Sequence, residues 1–148
     1  MLKILTGLFK EFNSTPHPAS EVDQLRSSIA CLVQEARRVD LGHDAREHPA
    51  AINALRQMFD IDSAEAEALL EQAREKAQHI TSYYPIVSVI KRDLSLKERI
   101  LLIEVLWRVA YADGELHGYE DHFVRKIAHL LYVPNTQVML ARSRARTA

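Results

Sequence analysis

The chain has 148 residues, 47% of them hydrophobic and 26% charged, with a formal net charge of −1 at pH 7. That length suits one domain with a core of its own, and the near-neutral balance excludes a globally basic nucleic-acid binder. The single cysteine, Cys31, excludes an intrachain disulfide or a CxxC redox pair, and no apolar run reaches membrane-spanning length, so a protein of the reducing cytoplasm is expected.

Residues 2–12 place Leu2, Leu5, Leu8, Phe9 and Phe12 at helical spacing. This is an arm helix that packs on the domain, or one that lies on the inner face of a membrane or joins two protomers. It is too short and too acidic at its end for a signal peptide, and no small-residue cleavage site follows. A Pro/Ser/Thr-rich loop leads to Ser20-x-x-Asp23, which is read as the start of a long helix with the stripe Val22, Leu25, Ile29, Leu32, Val33, Ala36 and Val39. Cys31 falls among those apolar positions, which suits an inert buried thiol better than a nucleophile.

Asp40-Leu-Gly-His-Asp-Ala-Arg-Glu47 breaks that helix. Pro49 suits the first turn of the next one, which carries Ile52, Leu55, Met58 and Phe59. Asp62-x-x-Glu65 has the form of a capping box before Leu69, Leu70, Ala73 and Ala77. Ile86, Val87, Val89 and Ile90 have strand propensity, but a lone strand would have no partner, and Pro85 favours a short helix.

Ser95-x-x-Glu98 is a second capping box. The helix it opens, through Ile100, Leu101, Leu102, Ile103, Val105, Leu106, Trp107, Val109 and Ala110, is apolar nearly all round and is therefore expected inside the fold. It ends in the acidic turn Ala112-Asp113-Gly114-Glu115. A helix from about Tyr119 carries Phe123, Val124, Ile127, Ala128, Leu130 and Leu131. Pro134 opens a last helix whose end, Arg142, Arg144 and Arg146, suits the negative pole of its dipole. The expectation is an all-α bundle of about seven or eight helices. It divides into an arm (1–16), a first unit (about 20–80) and a second unit (about 81–148) within one domain.

The two units look alike. Arg38-Val39-Asp40 and Arg108-Val109 each lead into an acidic loop, and each following helix ends similarly, at Phe59-Asp60-Ile61-Asp62 and Leu131-Tyr132-Val133-Pro134. A carboxylate precedes a glutamate by the same interval in both copies, Asp40 to Glu47 and Asp113 to Glu120. Asp44 lies in the first loop, and Glu115 and Asp121 lie in or just after the second. Three of the four glycines, Gly42, Gly114 and Gly118, also fall in these loops. Oxygen-rich turns of this kind suit calcium or magnesium. His43, His48, His117 and His122 would suit zinc, a weaker expectation because no HExxH or His-x-x-x-His spacing is present. Neither loop has the EF-hand spacing. The same residues are also what helix caps and first turns use, so capping alone is the competing reading.

At Trp107-Arg108-Val109-Ala110-Tyr111-Ala112-Asp113-Gly114-Glu115-Leu116, with Glu120 and Ile127-Ala128-His129-Leu130-Leu131, the sequence resembles the TerB family. That family takes in bacterial tellurite-resistance protein B and the TerB-like domain of DnaJ-like membrane co-chaperones. The resemblance implies an internally duplicated all-helical fold. It also implies divalent-cation binding at the inter-helical turns, by Asp113 and Glu120 in the second unit and Asp40 and Glu47 in the first, with Asp44 and Glu115 as helpers. The first loop has Asp40-Leu41-Gly42 in place of an Asp-Gly pair. His17-Pro18 and His48-Pro49 lack the aspartate of a J motif, so stimulation of an Hsp70 by that route is not expected. No thiol cluster suited to tellurium oxyanions is present, nor a nucleophile elbow or glycine-rich phosphate loop. The expected function is a non-enzymatic module of a stress or membrane-associated complex that binds a cation or docks protein partners. A metal-free adaptor or dimerisation module is the alternative, and a metal-dependent hydrolase is a third.

Overall fold

In a computed structural model, the structure describes residues 19–37, 47–112 and 118–146, with side chains from Glu21 onward and that of Glu47 excepted. Among these, seven helices follow one another: α1 (Ala19–Ala36), α2 (Glu47–Phe59), α3 (Ser63–Ala77), α4 (Tyr84–Asp93), α5 (Leu96–Ala110), α6 (Gly118–Leu130) and α7 (Asn135–Arg146). No strand occurs among the described residues. In the stretch 82–93, ambiguous by propensity, Tyr84–Asp93 form α4 with Pro85 in its first turn. The proposed arm helix at 2–12 lies outside the described residues.

Helices α1 and α5 form the centre. The α1 stripe Leu25, Ile29, Leu32, Val33 and Ala36 is buried with Cys31 beside it, and α5 buries every residue from Leu102 to Trp107 together with Val109 and Ala110. Each central helix packs most extensively on the last helix of its own unit, α1 on α3 and α5 on α7. The units also interlock, since α1 touches α5 and α6 while α2 touches α5. Trp107, fully buried, donates its indole N–H to the Val138 carbonyl on α7 at 3.2 Å, which satisfies its one polar atom inside the core.

The helix ends explain why the chain turns where it does. Ser95 Oγ accepts from the Glu98 amide at 3.2 Å while Glu98 Oε1 accepts from the Ser95 amide at 2.9 Å, so the expected capping box on α5 is complete. On α3 one arm forms: Asp62 Oδ1 accepts from the Glu65 amide at 2.8 Å. Ser20 is not an N-cap, because α1 already includes Ala19 and Ser20 stands inside the helix.

The resemblance between units extends to their helix exits. Asp60 after α2 and Tyr132 after α6 both have left-handed backbones, with φ of 53° and 56°. The next amide in each case returns to the carbonyl five residues back, Ile61 to Arg56 at 3.3 Å and Val133 to Ala128 at 3.0 Å. That is a Schellman closure, made here without the usual glycine. The following apolar residue, Ile61 or Val133, turns onto the core. Two copies that share so specific a non-glycine turn carry the duplication down to backbone conformation.

Candidate functional site

The acidic turns of interest connect α1 to α2 and α5 to α6. Asp40, Asp44, Asp113 and Glu115 lie outside the described residues, as do His43 and His117, and of Glu47 only the backbone is described, as the first residue of α2. Glu120 is the member of the set whose side chain can be placed. It stands in the first turn of α6, directly after the second acidic turn, and is 1% exposed. Among the described residues no three His, Cys, Asp or Glu side chains come together as a metal-ligand set. His48 pairs with Glu67 at 2.9 Å on the surface, and His79, His122 and His129 are exposed and separate.

The flanks of the second turn are held by α7. Arg142 donates from Nε to the hydroxyl of Tyr111 at 2.8 Å, and its Nη1 lies 3.9 Å from Oδ1 of Asp121. Tyr111 ends α5 and Asp121 opens α6, so one guanidinium bridges both sides of the turn. Arg125 braces Asp121 from the next turn of α6 at 2.9 Å, and Arg142 also stacks 5.5 Å from the Trp107 ring. Arg144, on the other flank of α7, ion-pairs with Glu104, which is 1% exposed inside α5 and also accepts from Arg108 at 2.6 Å. The helix dipole therefore does not account for Arg142 and Arg144. They are inter-helix ties, a role that charge at a helix end does not reveal.

The two loops start and finish near one another. Glu35, one residue before the end of α1 and so just before the first loop, is buried at 5% exposure. Its Oε2 accepts from the hydroxyl of Tyr83 at 3.2 Å and from that of Tyr119 at 3.4 Å. Tyr119 is the second residue of α6, just after the second loop. The exit to one acidic loop thus meets the return from the other.

Glu35 and Glu104 were not among the residues singled out by sequence. For Glu104 a signal was available, because a glutamate inside a helix that is apolar nearly all round is buried and must find partners; Glu35 lies beside the apolar stripe of α1 and gave no such signal. Cys31 is buried as expected. Burial pushes its thiol pKa above the ordinary value, with Lys76 opposing the shift and Glu35 adding to it. No helix among the described residues is long and apolar enough to cross a membrane.

Compared with models of protein families, the chain matches tellurite resistance protein TerB over residues 26–143. No curated protein and no solved structure matches. The family match runs from α1 into α7 and takes in both units, both acidic loops and the Glu35 and Glu104 sites. With its all-helical, duplicated architecture, the chain belongs to the TerB family.

Proposed function

We propose that this chain is a non-enzymatic, cytoplasmic TerB-like module that binds a divalent cation at its acidic inter-helical turns and docks protein partners in a stress or membrane-associated complex. The observation that carries the reading is Glu120, a carboxylate buried in the first turn of α6 immediately beyond Asp113 and Glu115. A carboxylate in the first turn of a helix beside an acidic loop is placed where it can join other oxygen donors around a hard cation, in addition to the interactions it makes within the fold. Asp113 and Glu120 are the principal ligands, with Glu115 in support. Asp40 and Glu47, with Asp44, form the first-unit counterpart. The bridge from Glu35 to Tyr119 supports treating the two loops as neighbours. Calcium or magnesium fits an all-oxygen donor set better than zinc does.

Calorimetric titration of metal-stripped protein with calcium, magnesium and zinc tests this directly, beside an Asp113→Ala/Glu120→Ala double variant. Saturable binding of calcium or magnesium that the double variant loses is the expected result. No binding to the wild type would leave the carboxylates as helix caps.

A second reading is an adaptor without metal. It is favoured by apolar side chains that face solvent on and around α7, namely Leu140 (52% exposed), Met139 and Tyr132. In that reading residues 2–12 supply dimer or membrane-surface contact. Deleting residues 1–12 and measuring oligomer size and vesicle binding decides it, and an unchanged result would rule it out.

A further inference from the structure

The net charge of −1 conceals an uneven distribution. Residues 19–80 hold twelve carboxylates against seven lysines and arginines, whereas residues 81–148 hold seven against ten. Copies of this chain therefore do not repel through net charge, yet each has an acidic unit and a basic one. The imbalance reaches the surface on the last helix of each unit, α3 and α7. On α3 the face away from the core runs through Ala64, Ala68, Glu71 and Glu75, all exposed and at the spacing of one helical stripe. The cations of α3 offset it little. Lys76 turns to Ser27 on α1 at 2.5 Å, and Arg74 lies 3.7 Å from Glu71 with both side chains largely in water.

On α7, Val138, Ala141 and Ala145 face the core, which turns Thr136, Met139 and Leu140 outward. Arg144 and Arg146, both exposed, flank that ridge, and α7 contains no acidic residue. Arg144 keeps 43% of its side chain in water while tied to Glu104. One helix thus offers an apolar ridge between cations, and the other a floor of small side chains beside carboxylates. We propose that α7 of one copy docks on α3 of a second copy of this chain, head to tail. Leu140 seats on the floor of Ala64 and Ala68, and Arg146 and the open side of Arg144 meet Glu71 and Glu75. The contact joins unlike faces, so it leaves an α3 face free at one end and an α7 face at the other, and it can extend. Two single-helix faces bury less than the roughly 1,200 Å² of a stable interface, so the association is weak and weakened further by salt. It uses neither the acidic turns nor residues 2–12, and so stands apart from both readings of function above.

The test is sedimentation velocity of the metal-stripped full chain over a concentration series reaching the millimolar range. The wild type is expected to gain mass with concentration at low salt and to return to monomer in about 0.5 M salt. Two variants reverse one face each at exposed positions, Glu71→Lys/Glu75→Lys on α3 and Leu140→Glu/Arg146→Glu on α7. Each alone should associate about tenfold more weakly or not at all. Mixed together they should associate again, because the first retains an intact α7 face and the second an intact α3 face. That recovery is specific to a contact between unlike faces: an α7–α7 contact would survive in the α3 variant, and a contact through residues 2–12 would survive in both. The proposal is overturned if the wild type stays monomeric throughout, which would leave the α7 ridge to a different acidic partner. It is equally overturned if either variant associates as the wild type does, or if the mixture stays monomeric.

Discussion

Each central helix carries one buried glutamate, and the two are treated differently. Glu104 on α5 is enclosed by its own chain's guanidinium groups, Arg108 from the same helix and Arg144 from α7. Glu35 on α1 receives phenol hydroxyls from Tyr83 and Tyr119 and borders a cleft. An ion cluster of the first kind locks two helices in register, because removing any one member strands a charge. The Glu35 carboxylate instead joins α1 to the residue before α4 and to the start of α6, at the edge of open volume. The buried glutamates stand at non-equivalent positions of the two units, and one is a tie between helices while the other lines a cleft.

The largest effect expected from breaking this contrast is at Arg108. Arg108→Ala leaves Glu104 at 1% exposure facing only Arg144, whose side chain is 43% exposed. The loss should be about 3 kcal/mol, read as a lower urea midpoint at unchanged slope. Glu35→Gln should cost only about 1 kcal/mol, since an amide oxygen still accepts from both phenols. Equal losses at the two sites would erase the distinction.

The capping boxes offer a second comparison between units. Ser95→Ala removes a reciprocal cap and should cost about 1 kcal/mol. Asp62→Ala removes a single arm and should cost less, by the same denaturant measurement. The helix exits sharpen it further. Tyr132 holds a left-handed backbone that costs an L-residue about 1 kcal/mol, partly offset by the Lys91 ammonium 4.3 Å above its ring. Tyr132→Gly is therefore expected to stabilise by a fraction of a kcal/mol, and Asp60→Gly by less, because aspartate tolerates that conformation better.

The smallest effect lies at Cys31. Its thiol titrates higher in the folded protein than in the unfolded chain, chiefly because it is buried. The unfolded form therefore ionises first as pH rises. This contribution to stability is whole below the ordinary thiol range and declines above it, up to the raised folded value. Cys31→Ala should flatten that part of the alkaline stability profile, and thiol labelling of the wild type should follow unfolding.

The fold was legible in the sequence because its signals are local. Ser95 and Glu98 are three residues apart, the α1 stripe repeats within a few turns, and Pro85 decides α4 by its own geometry. The shared helix exits at Asp60 and Tyr132 were visible as similar tetrapeptides, although nothing in those tetrapeptides specified a left-handed residue. The cleft was not legible. Tyr83 and Tyr119 lie 48 and 84 residues from Glu35, and each looks ordinary in its local sequence. Arg142 and Arg144 were legible as charge but not as ties, since Tyr111, Asp121 and Glu104 reach them only through tertiary packing. Of the proposed cation ligands, sequence named the set, and the structure places the side chain of Glu120 alone.

The most direct test of the central claim is a residue-resolved NMR titration of metal-stripped protein with calcium and with magnesium. The account predicts saturable amide shifts concentrated at 38–47 and 113–121 and sharing one midpoint, because the ends of the two loops meet at Glu35 and Tyr119. Asp113→Ala/Glu120→Ala should abolish the shifts in the second segment. Shifts absent from both segments, or spread without saturation over surface carboxylates elsewhere, would contradict it.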